Sequence, residues 1–248
     1  FAGITFSGYS HNLDGMYETL HADNEKGANL ADMWIDNRST TWSHEEVMNF
    51  CSALEASWPA DMAELDSCEG RTIVQGTMFH TTNGDTQIIN SLWHGIPEFA
   101  NADRVWMPSG HSEGRVASAA DEIVIDAHVV EALDLSLGDI VKIGAGSSPV
   151  EFSVVGIGYH PLHVFMAPEG SIFPPEPGQY VVGYVSESGM ARLTNSSIGN
   201  SNTIMLDVEG TPSFDLPDTE EYEGDEIDLV RNLVSGALED TELDGRIR

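Results

Sequence analysis

Positive charge is what this chain is shortest of. Its 248 residues hold 10 Lys and Arg against 41 Asp and Glu, a formal net charge of −31. Only two of the cations are lysines, Lys26 and Lys142. A surface of that sign repels nucleic acid and anionic lipid headgroups, and no basic or aromatic-basic patch offsets it. Cysteine is nearly as scarce. Cys51 and Cys68 are the two present, neither has a Cys or His close by, and no CxxC occurs, which argues against a zinc site. No apolar run approaches the roughly 18–20 residues that cross a bilayer as a helix. The absence of G-x-x-x-x-G-K-[ST] excludes ATP binding by a P-loop, and no G-x-G-x-x-G opens a helix after a strand. Internal repeats and low-complexity tracts are missing as well.

The acids read first as a solvated surface suited to high salt, where their mutual repulsion is screened. A Ca²⁺ loop needs Asp or Asn alternating with Gly at fixed spacing. The run from Asp215 to Asp228 lacks that spacing and reads as an exposed linker and helix start. A hydrophobic fraction of 41% is enough for one large domain or two small subdomains.

Periodicity places the elements. Leu13–Asp23 and Ser43–Ser57 read as helices. Ser43 with Glu46 three residues on forms a capping box, and Pro59 ends the second helix. Its stripe is Val47, Phe50, Cys51 and Leu54. Strands are expected over Leu30–Ile35, Met62–Cys68, Arg71–Phe79 and Thr86–Trp93, the last two joined by an Asn83-Gly84-Asp85 turn. Asn101–Ala120 is irregular. Tyr180–Val185 and Ile204–Val208 read as strands, Ser188–Leu193 as a short helix, and Asp225–Leu238 as a helix with Ile227, Val230, Leu233, Val234 and Leu238 on one face. This mixed order gives an α+β class.

The densest signal is Asp121–Tyr159. An apolar run, Ile123-Val124-Ile125, makes a buried strand; a short helix follows over Ala127–Leu133; a Leu137-Gly138-Asp139 turn then leads into Ile140–Ile143 and Val150–Ile157, a hairpin closed by small residues. Glu122–Asp126, the stretch from Ala132 to Val141 and the strand Glu151–Ile157 together resemble the extracytoplasmic core domain of ABC-transporter permeases of the FtsX/MacB/LolE type. Ala31–Ile35, Glu64–Arg71, Gly95-Ile96-Pro97, Phe173-Pro174-Pro175 and Tyr180–Val185 resemble other parts of that family.

The resemblance implies a two-part ectodomain. A βαβ-type, porter-like subdomain would come from 1–84 and 179–248, and a β-rich, sabre-like subdomain would be inserted over 85–178. It implies no catalysis and no cofactor or metal. The domain would transmit the motion of a cytoplasmic ATPase, through the membrane domain, to a cargo or partner outside the cell. Its mate would be a second permease ectodomain, in the same or a paired subunit. A start at Phe1 and no signal-peptide pattern fit a segment excised from between transmembrane helices.

Cys51 falls on an expected helix and Cys68 at the end of the next expected strand, elements that usually pack together. A disulfide suits the exported location that the resemblance implies; two reduced, buried cysteines suit the same positions.

Other patterns are weaker. Gly110-His111-Ser112-Glu113-Gly114 matches the G-x-S-x-G elbow, and a secreted serine hydrolase using Ser112 is an alternative function. That motif needs a strand before and a helix after, and a late His, whereas the last histidine is His163. His160 and His163 flank Pro161 and lack a visible third ligand, so they read as ordinary histidines. Glu45-Glu46 could be a glycosidase pair only by chance proximity. A third function is an exported ligand-binding or adhesion module. The Pro-rich loop 161–178 carries Leu162, Val164, Phe165, Met166, Ile172 and Phe173, which either pack on their own domain or contact a partner or apolar cargo.

Overall fold

The fold comes from a computed structural model that describes residues 27–37, 40–82, 84–146, 148–159, 175–209 and 226–247. The expected helix 13–23, His160, His163 and the six apolar residues Leu162, Val164, Phe165, Met166, Ile172 and Phe173 lie outside them, as does most of the acidic run.

The described strands are β1 (Met33–Asp36), β2 (Leu65–Thr82), β3 (Asp85–Ile96), β4 (Glu113–Gly114), β5 (Glu122–Asp126), β6 (Ile140–Gly144), β7 (Val150–Gly158), β8 (Tyr180–Ser186), β9 (Thr203–Val208) and β10 (Arg246–Ile247). The helices are α1 (His44–Ser57), α2 (Ala127–Val130), α3 (Glu187–Thr194) and α4 (Glu226–Asp240). The class is α+β.

Two lobes share one long strand. In the first, β10, β1, β9 and the opening half of β2 lie side by side, all antiparallel. Helices α1 and α4 cover one face, where Val47, Phe50 and Leu54 meet Val230, Val234, Met33, Ile35, Ile204 and Leu206 in one buried cluster. The capping box of α1 forms: Glu46 N–H donates to Ser43 Oγ at 3.3 Å, and Ser43 N–H donates to Glu46 Oε2 at 2.7 Å. Cys51 on α1 and Cys68 on β2 are joined by a disulfide.

The second lobe is a ring of strands. β2 pairs with β3, β3 with β8, β8 with β5, β5 with β7, β7 with β6, and β6 returns to β2 through Thr77, Met78 and Phe79. Only the β3–β8 and β5–β7 pairs are parallel. Closure pairs the ring strands on both sides over part of their length, while Asp85–Ile89 of β3 and the end of β2 at the hairpin tip pair only with each other. The larger of its two buried clusters includes Met78, Ile89, Trp93, Ile123, Val141, Ile143, Phe152, Val154 and Val185, with Met190 and Leu193 of α3 packed in. Trp93 is its centrepiece: its Nε1–H donates to the Gly144 carbonyl at 3.2 Å, from β3 to β6. Gly76 makes room for it, since a Cβ there would lie 2.2 Å from Gly144 O and 2.4 Å from Trp93 Nε1.

Some expectations change. The two strands expected over 62–68 and 71–79 are one strand. β2 stays extended because its partner changes without a gap: Arg71 is the last residue opposite β9 and Thr72 the first opposite β3. The helix after β5 stops at Val130, the chain continuing as turn to Asp134 at a left-handed φ of 49°. Strands β4 and β10, two residues each, had no sequence signal. Three buried apolar clusters divide along the lobes, two on the ring strands and one in the first lobe. Strand β8 and helix α3 belong with the ring, because β8 is hydrogen-bonded to both β3 and β5, and the ring also takes β3 and the second half of β2.

Candidate functional site

The lobes meet where β2 changes partners, and buried polar groups are concentrated there. Arg71 stands at the changeover and is fully buried. Its Nη1 donates to the Asp103 carbonyl at 2.8 Å and its Nη2 to the Ala102 carbonyl at 2.7 Å, with Glu69 Oε1 at 3.3 Å. Glu69 grips the same turn from the opposite sense, accepting from the backbone N–H of Asn101 at 3.0 Å and of Ala102 at 3.1 Å. The two side chains, two positions apart and so on one face of the strand, satisfy both donors and acceptors of the turn 101–103. Burial pulls the guanidinium pKa down, and the charges of Glu69 and Asp103 oppose that. An arginine stays protonated under such conditions, where a lysine would be at greater risk of losing its charge. Asp103 itself has φ 44° and accepts from Ala31 N–H, tying the turn to the entry segment.

The crossover from α3 back to β9 is held as firmly. Asn202 pairs with Ile73 through both side-chain atoms: Ile73 N–H donates to Oδ1 at 2.8 Å and Nδ2 donates to Ile73 O at 2.8 Å. Ser201 exchanges backbone hydrogen bonds with Trp42 at 2.7 and 2.9 Å. Asn202 thus extends the β9 pairing past the end of that strand and stitches the crossover to β2.

Two titratable groups nearby are perturbed. Asp207 on β9 is pushed up to about 7, first by burial and then by the neighbouring carboxylates Asp32 and Asp66; a hydrogen bond from Asn29 Nδ2 at 2.7 Å works the other way. His128 is raised because its Nδ1 lies 2.6 Å from the buried Asp126 carboxylate. Its ring stands edge-on to Tyr159, centroids 5.4 Å apart.

Beside the joint lies a groove of about 560 Å³. Its walls come from the exit of β3 (Ile96, Pro97, Glu98), the segment between β3 and β5 (Arg104, Val105, Val116), the start of α3 (Glu187) and the α3–β9 crossover (Ile198). A volume of this size fits a few side chains of a partner.

Sequence-derived candidates fare differently. Ser112 sits in a turn, its Oγ donating to the Pro108 carbonyl at 2.8 Å, with the two-residue β4 directly after it. Neither the strand before nor the helix after that an elbow requires is formed, so the hydrolase alternative has no geometry to stand on. Glu46 is taken up by the α1 cap, which holds its carboxylate below the usual range. Among the described residues no group of three His, Cys, Asp or Glu side chains is placed to hold a metal. The sequence reading missed the Glu69–Arg71 clamp, Trp93 and the groove. An arginine leading directly into the run Thr72-Ile73-Val74, in a chain so short of cations, was the available clue.

No family model matches the chain, and no curated protein does. Among the solved structures similar to it are two transporter-related domains. One is the extracellular domain of the noncanonic ABC-type transporter YknZ from Gram-positive bacteria, 12% identical, matching 85% of this chain and 94% of its own at a TM-score of 0.45. The other is a domain of a Porphyromonas gingivalis protein described as a permease, also 12% identical, matching 76% of this chain and 77% of its own at a TM-score of 0.34.

Proposed function

We propose that this chain is the extracytoplasmic, non-catalytic domain of an ABC-transporter permease of the FtsX/MacB/LolE type. It relays motion driven by a cytoplasmic ATPase to a cargo or partner outside the membrane. The observation that carries the reading is the pairing of the first described strand with the last. β10 lies antiparallel to β1, with Ile35 opposite Ile247 and Asp36 opposite Arg246. The start of β1 and the end of β10 therefore lie at the same end of the first lobe, and the described residues before β1 run on to the turn at 102–104, where Asn29 and Ala28 accept from Asp103 N–H and Arg104 N–H. That pairing is compatible with a domain set between two neighbouring transmembrane helices, whose two ends must reach the same side.

A relay also needs stiffness between its membrane-side and far ends. β2 supplies it: one strand of 18 residues, with a register irregularity only near Leu65–Ser67 and roughly 60 Å long at about 3.3 Å per residue, serves both lobes. In this reading residues 1–84 and 179–248 make the porter-like part and the inserted residues 85–178 the sabre-like part. The mate is a second ectodomain, and the disulfide fits an oxidising exterior.

The test is the coding sequence on both sides. An apolar stretch of about 20 residues before Phe1 and more after Arg248 is expected. A cleavable signal before Phe1 with a stop after Arg248 would overturn the permease and leave an exported binding or adhesion module.

A further inference from the structure

We infer that the groove beside the joint is a docking site for an apolar segment of a partner polypeptide that carries positive charge. Three large apolar side chains stand in water around it. Phe99 is 87% exposed, between the lining residues Glu98 and Ala100; Ile198 is 63% and Val116 is 45% exposed, both in the wall. They come from three separate segments. Ile198 and Val116 line one groove together with Ile96, Val105 and Ala117, and Phe99 adjoins it without being among its lining residues, so the exposed apolar groups are grouped rather than scattered.

Charge selects the occupant. Glu98 and Glu187 line the groove, Arg104 is the one cation among its lining residues, and the chain as a whole carries −31. A second copy of this chain, or an amphiphile with an anionic head, would approach against that field, whereas a basic partner is drawn in. Glu98 and Glu187 are the anchors for its cations, and the apolar residues supply the contact area. The inference goes beyond the permease reading and stands apart from it, since the flanking sequence can fail its test and the groove still bind.

The experiment measures binding of a fluorescent peptide of alternating leucine and lysine to the purified chain by anisotropy, at a salt concentration of about 0.15 M where distant charges are screened. Val116→Asp and Ile198→Asp test the groove. Ile88→Asp is the control, because Ile88 is 62% exposed on β3, toward the hairpin tip and away from the groove. Each substitution adds negative charge, so general attraction of the basic peptide would strengthen or stay level. The expected result is a loss of about tenfold in affinity for both groove variants and none for the control. Equal affinities in all three would show attraction to an acidic surface only and overturn the proposal. So would preference for a leucine–glutamate peptide or for laurate, or concentration-dependent self-association that the groove variants abolish. Because all three sites are exposed, unchanged melting of the variants confirms that folding is not what the assay reads.

Discussion

Replacing Arg71 by methionine keeps most of the buried volume and removes the guanidinium. The carbonyl oxygens of Ala102 and Asp103 lose their donors, and Glu69 loses its counter-charge. Removing one partner of a buried charged pair costs about 3–5 kcal/mol, because the other is left uncompensated. The Glu69 side chain is 16% exposed, so water reaches part of that carboxylate and the lower end applies, about 3 kcal/mol. In a chain of this size that corresponds to a fall in Tm of roughly 6–12 °C. Glu69→Gln should cost about as much, roughly 3 kcal/mol, since it leaves the fully buried guanidinium without its counter-charge and one of the two turn N–H groups without its acceptor. If the pair acts as one clamp, the double variant loses less than the sum of the singles, with a coupling of about 0.5–3 kcal/mol. Thermal and urea melts of the four proteins, disulfide intact, measure this. An Arg71→Met variant melting within about 2 °C of the parent, or strict additivity, would refute the clamp.

Three further outcomes follow from the same geometry. Reducing the Cys51–Cys68 bond, which spans a sequence separation of 17, should lower stability by about 3 kcal/mol in the chain-entropy model, read as the difference between melts with and without reductant. Gly76→Ala should cost about 1–3 kcal/mol and weaken the near-UV signal of Trp93, because the added methyl meets Gly144 O and the indole; an unchanged spectrum and melt would show that the ring has slack. Asp207 has a folded-state pKa of about 7 against an ordinary 3.8, so between those values the folded state holds the extra proton. Stability from this group is therefore present at low pH and lost as pH rises toward 7. Asp207→Asn should flatten that part of the pH profile, and a profile of unchanged slope would contradict the assignment.

The local part of this fold was legible because its causes are local. The Ser43–Glu46 cap and the Val47, Phe50, Cys51, Leu54 stripe of α1 depend on residues three and four apart, and the hairpins β2–β3 and β6–β7 on short turns. The order strand, helix, turn, hairpin over 121–157 could be read for the same reason. It also carried the family resemblance, from which the exported relay was expected.

What only the tertiary structure decided involves residues distant in sequence. Closure of the ring joins 77–79 to 142–144, and nothing in either segment names the other. The partner exchange that keeps β2 in one piece depends on β9 starting beside the place where β3 ends, while the pair Glu69-Gly70 alone suggests a break. The Arg71 clamp reaches residues 31 and 32 positions away, and the groove is assembled from segments spread over a hundred positions. Patterns of period two and 3.6 report which face of an element is apolar. Which face meets which is set by burial and by the need to satisfy every buried polar group, and those are properties of the packed whole.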